Sequence, residues 1–198
     1  MISKLDPEPT PTHPFRTMPL TVAIYDNPGI KHWSLFLDAP SPSQKTTIHI
    51  LGGRQRYFPR IKQPSDIRAS SSVSEILVLC EIEIEIADGG DNEKGVVEMV
   101  KGVAAETEIR NHERDYSCQD YVLDVLGGLE REGIVDGMDE GYRVRKMALM
   151  ARREAWGAEL QSSSNSTEDA QKRFKNQEID CQRCSIQMPY PCNQAVHP

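Results

Sequence analysis

Residues 76 to 87, ILVLCEIEIEIA, form the most regular stretch of the chain. Apolar side chains occupy every second position: Ile76, Val78, Cys80, Ile82, Ile84 and Ile86. Glutamates occupy three positions between them: Glu81, Glu83 and Glu85. Because side chains on a strand point alternately to its two faces, this pattern predicts a β-strand with one face in the core and one in water. We expect the glutamates to form the solvated side of a sheet; a cation site is the alternative.

Three shorter apolar runs upstream have the length of strands: LTVAIY (20 to 25), HWSLFL (32 to 37) and TTIHIL (46 to 51). Downstream, apolar residues recur at helical spacing in 96–104 and 122–129, and a third helix is expected over 138–156. This last stretch is basic, and we expect it to cover a sheet edge with its arginines facing glutamates; docking on an acidic partner or a membrane is the alternative. Strands followed by helices predict an α+β fold, a small antiparallel sheet packed against helices.

A single domain accounts for most of the 198 residues. We expect a flexible N-terminal segment at 1–19, a domain over 20–158 and a disordered tail over 159–198, since both ends lack an apolar rhythm.

Charge and hydropathy exclude several classes of protein. The net charge of -7 and the pI near 5.3 argue against a nucleic-acid binder, which needs a basic face to displace counterions. No stretch approaches the roughly 18 apolar residues of a membrane span, and the N-terminus lacks the apolar region of a signal peptide. We therefore expect a cytoplasmic protein without stable membrane insertion; its oligomeric state stays open.

The five cysteines are an odd number in a chain without a secretory signal, so reduced thiols are expected instead of a disulfide framework. Three of them lie near the C-terminus, where Cys181, Cys184, Cys192 and His197 offer four potential zinc ligands. That tail has almost no apolar support for a zinc site, so we expect reduced cysteines and no metal there.

Cys118 lies where the second predicted helix begins. The stretch SCQD (117–120) has the Ser-x-x-Asp form of a capping box, with Ser117 as N-cap. Unpaired amides and the positive dipole end at a helix start can lower a cysteine pKa below about 8.5, and can also receive an oxyanion that develops on an attacked carbonyl. Asp120 has the opposite effect, because a nearby carboxylate disfavours the thiolate. An inert thiol is the alternative.

A thiolate nucleophile needs an imidazole within hydrogen-bond reach, and the imidazole needs a polar group to fix its tautomer. His32 and His49 lie in neighbouring predicted strands, whereas the other three histidines lie in the tails or in a polar loop. If residue 34 or 32 lies opposite residue 49, then His32, Ser34 and His49 share one face of the sheet. A slip by one residue separates them. Structural histidines at a strand edge are the alternative.

In this order, HWSLFL, TTIHIL and SCQDYV resemble motifs of the lecithin-retinol acyltransferase family and its phospholipid-hydrolysing relatives, the permuted branch of the NlpC/P60 papain-like superfamily. That family has an HWAIY-type strand, a second strand with a histidine in a VIHL-type context, and a later NCEHF-type helix start. The resemblance extends over residues 20–135, approximately.

The resemblance implies Cys118 as nucleophile, His32 as general base and acid, and His49 as the polar residue that orients the imidazole. It also implies a circularly permuted papain-like fold, in which the histidine strand precedes the cysteine helix. Tyr25 and Gln119 join Ser34 as candidate substrate-binding residues, although no motif matches Tyr25.

The chain departs from the family pattern at three points. Ser117 replaces the usual Asn before the cysteine, and Gln119-Asp120 replace Glu-His after it. The interval between His32 and His49 is lengthened by APSPSQ, and we expect no C-terminal membrane anchor. These departures weaken the expectation of a lipid substrate more than that of a thiol mechanism.

The expected function is therefore a cysteine-dependent hydrolase or acyltransferase that forms a thioacyl-enzyme on an ester, amide or thioester, without a cofactor. Its partner is a small-molecule acyl substrate or a peptide. Two alternatives stay open: a small-protein deconjugating isopeptidase, since permuted papain-like folds include such enzymes, and a catalytically inactive binding module of the same fold.

Overall fold

The computed structural model describes residues 15–26, 30–87 and 90–163. Its strands are β1 (Phe15–Tyr25), β2 (His32–Leu37), β3 (Thr46–Leu51), β4 (Phe58–Lys62), β5 (Val73–Ala87) and the two-residue β6 (Gly90–Asp91). Its helices are α1 (Glu93–Glu106), α2 (Cys118–Arg131) and α3 (Glu140–Ser163), with a short 3-10 turn at Ile67–Ala69. The predicted α+β class, the strands at 32–37 and 46–51 and the three helices are confirmed. β1 begins at Phe15, within the segment expected to be flexible.

The strands form one antiparallel sheet in the order β4-β3-β2-β1-β5-β6. One face carries the main core, where Leu20 and Val22 of β1 and Trp33 and Leu35 of β2 join the apolar sides of α1 and α2. The opposite face carries a small cluster of Ala23, Phe36 and Ile67. Because side chains alternate along β2, residues 33, 35 and 37 face the helices, and residues 32, 34 and 36 face away from them.

The prediction that residues 76, 78, 80, 82, 84 and 86 share one face of β5 is wrong for the first half of the strand. A register shift separates the pairs Leu20–Cys80 and Thr21–Val78, so Leu79 is the extra residue of a β-bulge. After the bulge, Ile82 and Ile84 lie in the main core, as predicted. Before it the alternation is reversed, and Val78 is 50% exposed while Leu79 is buried.

Helix α3 packs against β5, as its basic sequence predicts. Arg152 forms an ion pair with Glu75, and Arg145 donates a hydrogen bond to the carbonyl of Leu79. The glutamate of β5 that pairs with an arginine of α3 is thus Glu75, whereas the prediction concerned Glu81, Glu83 and Glu85. Among the described residues, every helix is too short or too polar to cross a membrane.

Candidate thiol and imidazole site

The start of α2 is fixed by the predicted capping box. The Ser117 hydroxyl accepts a hydrogen bond from the N–H of Gln119 at 3.3 Å, and the Asp120 carboxylate accepts one from the N–H of Ser117 at 2.9 Å. Ser117 is the N-cap and Cys118 is the first helical residue. The local sequence therefore determines the place of Cys118 at the helix start.

The Cys118 thiol is buried, with 8% of the residue exposed. Burial raises its pKa to about 11, and the Asp120 carboxylate acts in the same direction. The backbone amides of Trp33, Cys118 and Gln119 lower the pKa, but they do not offset burial. The resting thiol is therefore protonated at neutral pH, contrary to the lowered pKa that a helix start alone predicts.

The first turn of α2 contacts β2 at the edge that faces β3. The backbone N–H of Asp38 donates to the carbonyl of Pro19 in β1. The even-numbered residues of β2 therefore direct their backbone N–H and C=O groups toward β1, and the odd-numbered residues direct theirs toward β3. On that side the side-chain amide of Gln119 donates to the carbonyl of Lys31 at 3.1 Å, and the backbone amide of Trp33 lowers the pKa of the Cys118 thiol. The β2–β3 pairing begins only at Leu35–Ile48. Cys118 thus lies beside the open end of this ladder, which we call the β2–β3 seam.

The two imidazoles lie together on the face away from the helices. Extending the β2–β3 register by one pair places Ser34 opposite His49, so the condition for a shared face is met. His32 Nε2 and His49 Nδ1 are 2.8 Å apart and share a hydrogen bond. Tyr25 lies opposite His32 with the ring centroids 5.4 Å apart, and its hydroxyl is 3.0 Å from the Ser34 hydroxyl.

Both imidazoles are neutral at pH 7. Burial, and secondarily the positive charge of Lys62, lowers the pKa of His32 to about 4. Burial lowers the pKa of His49 well below its usual value, with further contributions from His32, Lys62 and Arg60. The shared hydrogen bond then contains a single proton. If His32 Nε2 donates it, then His32 Nδ1 has a free lone pair and His49 carries its proton on Nε2.

The structure brings four of the candidate residues together and holds two apart from them. His32, His49, Tyr25 and Ser34 lie on the outer face, whereas Cys118 and Gln119 reach the seam from the helix side. Within the described ranges, no hydrogen bond joins the Cys118 thiol to either imidazole.

Sequence reasoning missed three side chains at this site. Arg60 and Lys62 lie on β4, which was not predicted, because FPRIK is short, contains a proline and does not alternate strictly between apolar and polar residues. Arg153 of α3 donates to the Asp120 carboxylate, at 3.0 Å from Nε, and so connects α3 to the first turn of α2. No local pattern marks this long-range contact.

The candidate zinc ligands near the C-terminus, Cys181, Cys184, Cys192 and His197, lie outside the described residues. Among the residues that are described, no group of three or more His, Cys, Asp or Glu side chains could hold a metal ion.

A family model described as a family of unknown function (DUF6540) matches residues 20–136, which is more than half of the chain. This range includes β2, β3 and α2, and with them every candidate site residue. No curated protein and no solved structure matches the chain.

Proposed function

The chain belongs to the DUF6540 family, whose function is unknown, and we propose that it is a cysteine-dependent hydrolase or acyltransferase with a permuted papain-like fold. Cys118 is the nucleophile, and its substrate is an ester, amide or thioester. The observation that carries the proposal is the place of Cys118 as the first residue of the capped helix α2, where the backbone amides of Trp33, Cys118 and Gln119 favour its thiolate.

These amides serve two steps of acyl transfer. They stabilise negative charge on sulfur when the thiol loses its proton, and they offer donors to the oxyanion that forms when sulfur adds to a carbonyl. Main-chain donors are held by the strand and the helix, so they need no reorganisation during the reaction.

His32 is the proposed base. Its Nε2 is engaged by His49 Nδ1, so the ring is oriented and Nδ1 is the nitrogen that can accept a proton. In the resting state this nitrogen lies across β2 from the thiol. His32 is the first residue of β2 and lies where the β2–β3 pairing has ended. We propose that the His32 ring turns about its hydrogen bond to His49 and brings Nδ1 to the seam when substrate enters.

The proposed reaction has two stages, acylation of Cys118 and release of the acyl group. The Cys118 proton moves to His32, and the sulfur forms a bond to the substrate carbonyl carbon. Collapse of the tetrahedral intermediate breaks the bond to the leaving group, which takes the proton from His32. Water or an amine then attacks the thioacyl-enzyme and gives up a proton to His32, and Cys118 recovers its proton when sulfur leaves.

The direct test is acylation of the purified protein by a panel of activated esters, thioesters and amides, followed by peptide mass spectrometry. We expect a thioacyl adduct on Cys118 that is absent in Cys118→Ser. Cys80→Ser is the matched control, because burial raises the pKa of Cys80 to about 11 as well. Adducts on Cys80 alone, or adducts equal in both variants, would contradict the proposal.

One observation favours a second candidate, a catalytically inactive binding module of the same fold. The thiol is buried and protonated and shares no hydrogen bond with an imidazole in the described part of the chain. A module of this kind remains unacylated by every donor while it keeps its fold. The acylation panel therefore separates the two candidates.

A further inference from the structure

Four nitrogen-bearing side chains lie on the outer face of strands β2, β3 and β4. His49 lies opposite Arg60, and Thr47, two residues before His49, lies opposite Lys62. Residues paired across an antiparallel ladder share a face, so Arg60 and Lys62 lie on the same face as the His32–His49 pair. We call His32, His49, Arg60 and Lys62 the cationic face.

Carboxylates pair with several other basic side chains of the described residues. Asp38 pairs with Lys45, Glu130 pairs with Lys146, and similar pairs hold Arg68, Arg110, Arg152 and Arg153. Within the described ranges, neither Arg60 nor Lys62 forms an ion pair or a side-chain hydrogen bond. Arg60 is exposed and Lys62 is half-buried, so two positive charges without a carboxylate partner in the part of the chain that the structure describes lie on one face of β4.

A second, independent observation concerns His49. Its Nε2 atom is buried and has no hydrogen-bond partner among the described residues, and the residue is only 6% exposed. A buried imidazole nitrogen normally has a partner, and an orphan requires an explanation. Arg60 is the residue directly opposite His49 across the ladder.

We propose that the cationic face binds a small oxyanion, a carboxylate or a phosphate monoester group, whose oxygen accepts a hydrogen bond from His49 Nε2. Lys62 and Arg60 supply the compensating positive charge. If the anion is part of an acyl substrate, this inference rests on the proposed thiol chemistry. Anion binding by itself does not depend on that chemistry.

Anion binding has a consequence for His32. An oxygen at His49 Nε2 selects the tautomer in which that nitrogen carries the proton. His49 Nδ1 must then accept from His32 Nε2, and His32 Nδ1 is left with a free lone pair. The bound oxyanion thus sets the tautomer in which His32 can act as a base. This connects recognition of an anionic substrate to readiness for proton transfer.

The test measures binding without catalysis. The full chain carrying Cys118→Ser is titrated with inorganic phosphate and, separately, with acetate, and the histidine ring ¹⁵N signals are followed by NMR. We expect a saturable shift of the His49 Nε2 signal at concentrations of about 1 mM to tens of mM. The anion with the lower Kd identifies which of the two groups the site prefers.

Charge variants supply the specificity control. Lys62→Gln is expected to weaken binding about five- to tenfold, as removal of one partly exposed charge near the anion predicts. Lys94→Gln and Arg114→Gln make the same charge change at exposed positions on other elements and should leave Kd unchanged.

Two results would overturn the proposal. One is the absence of any saturable shift for either anion in a folded protein. The other is equal weakening by Lys62→Gln and Lys94→Gln, which would mean that the anion responds to the net charge of the protein and not to the cationic face. Because Cys118 is absent from the tested protein, anion binding without acylation of the wild type would refute the thiol mechanism and leave the anion site standing.

Discussion

Mild acid is expected to destabilise the folded protein through the His32–His49 pair. Burial keeps both rings neutral in the folded state, and the pKa of His32 is lowered from 6.5 to about 4. The unfolded chain takes up these protons as the pH falls below 6.5, whereas the folded chain resists them until the pH reaches the folded pKa. The stability contributed by the neutral pair is therefore present above pH 6.5 and lost between 6.5 and about 4.

The size of the effect follows from the shift. At about 1.4 kcal/mol for each pKa unit, a change from 6.5 to about 4 gives about 3.4 kcal/mol for a fully buried ring. His32 is half-buried, and solvent screening reduces its contribution to roughly 2 kcal/mol. His49 is more deeply buried and acts with the same sign. Over about pH 7 to 5, above the range in which most carboxyl groups titrate, we expect the pair to account for a loss of roughly 1 to 2 kcal/mol.

Urea unfolding at the two pH values measures this loss. The wild type is compared with the double variant His32→Gln, His49→Gln, which keeps polar side chains but cannot titrate. His112→Gln is the control, because the His112 side chain is 70% exposed. We expect the double variant to lose much less stability than the wild type and His112→Gln. Equal losses in all three proteins would refute the account of a buried neutral pair.

Three further substitutions test separate contacts. Ser117→Ala removes the N-cap of α2 and should lower the free energy of unfolding by about 1 kcal/mol, measured by urea denaturation; no change would contradict the capping role. Arg153→Gln breaks the link between α3 and the first turn of α2, and should cost about 0.5 to 1 kcal/mol while speeding alkylation of Cys118; an unchanged alkylation rate would mean that α3 does not restrict the thiol. Tyr121→Phe leaves the carbonyl of Ala104 without its 2.8 Å bond and should cost about 1 to 2 kcal/mol by thermal or urea unfolding, whereas an unaltered stability would argue against that buried bond.

Local sequence patterns predict those features of the structure that depend on residues close together in the chain. The capping box at Ser117 and Asp120 involves residues three positions apart, so the sequence predicts the start of α2 to the residue. The alternation in HWSLFL likewise predicts which side chains of β2 share a face. His32 and His49 share a face because of the register between β2 and β3. The sequence allowed this register but did not select it over a slip by one residue.

The misses arise where distant parts of the chain decide the outcome. The bulge at Leu79 depends on how β5 pairs with β1, and the spacing of isoleucines within β5 carries no sign of it. The pKa of Cys118 depends on burial against β2, which outweighs the helix-start amides that the local sequence reveals. Whether the thiol and His32 meet depends on which side of the sheet α2 packs, and this is a property of the whole core.

The most direct test of the proposed chemistry is the rate of Cys118 alkylation by iodoacetamide as a function of pH, with site assignment by mass spectrometry. We expect a component of the rate at neutral pH that disappears in His32→Gln, because His32 turns to the seam when the reagent enters and removes the proton from a thiol whose own pKa is raised to about 11. A rate that rises steadily up to that pKa and is the same in wild type and His32→Gln would contradict the account and identify Cys118 as a buried structural thiol.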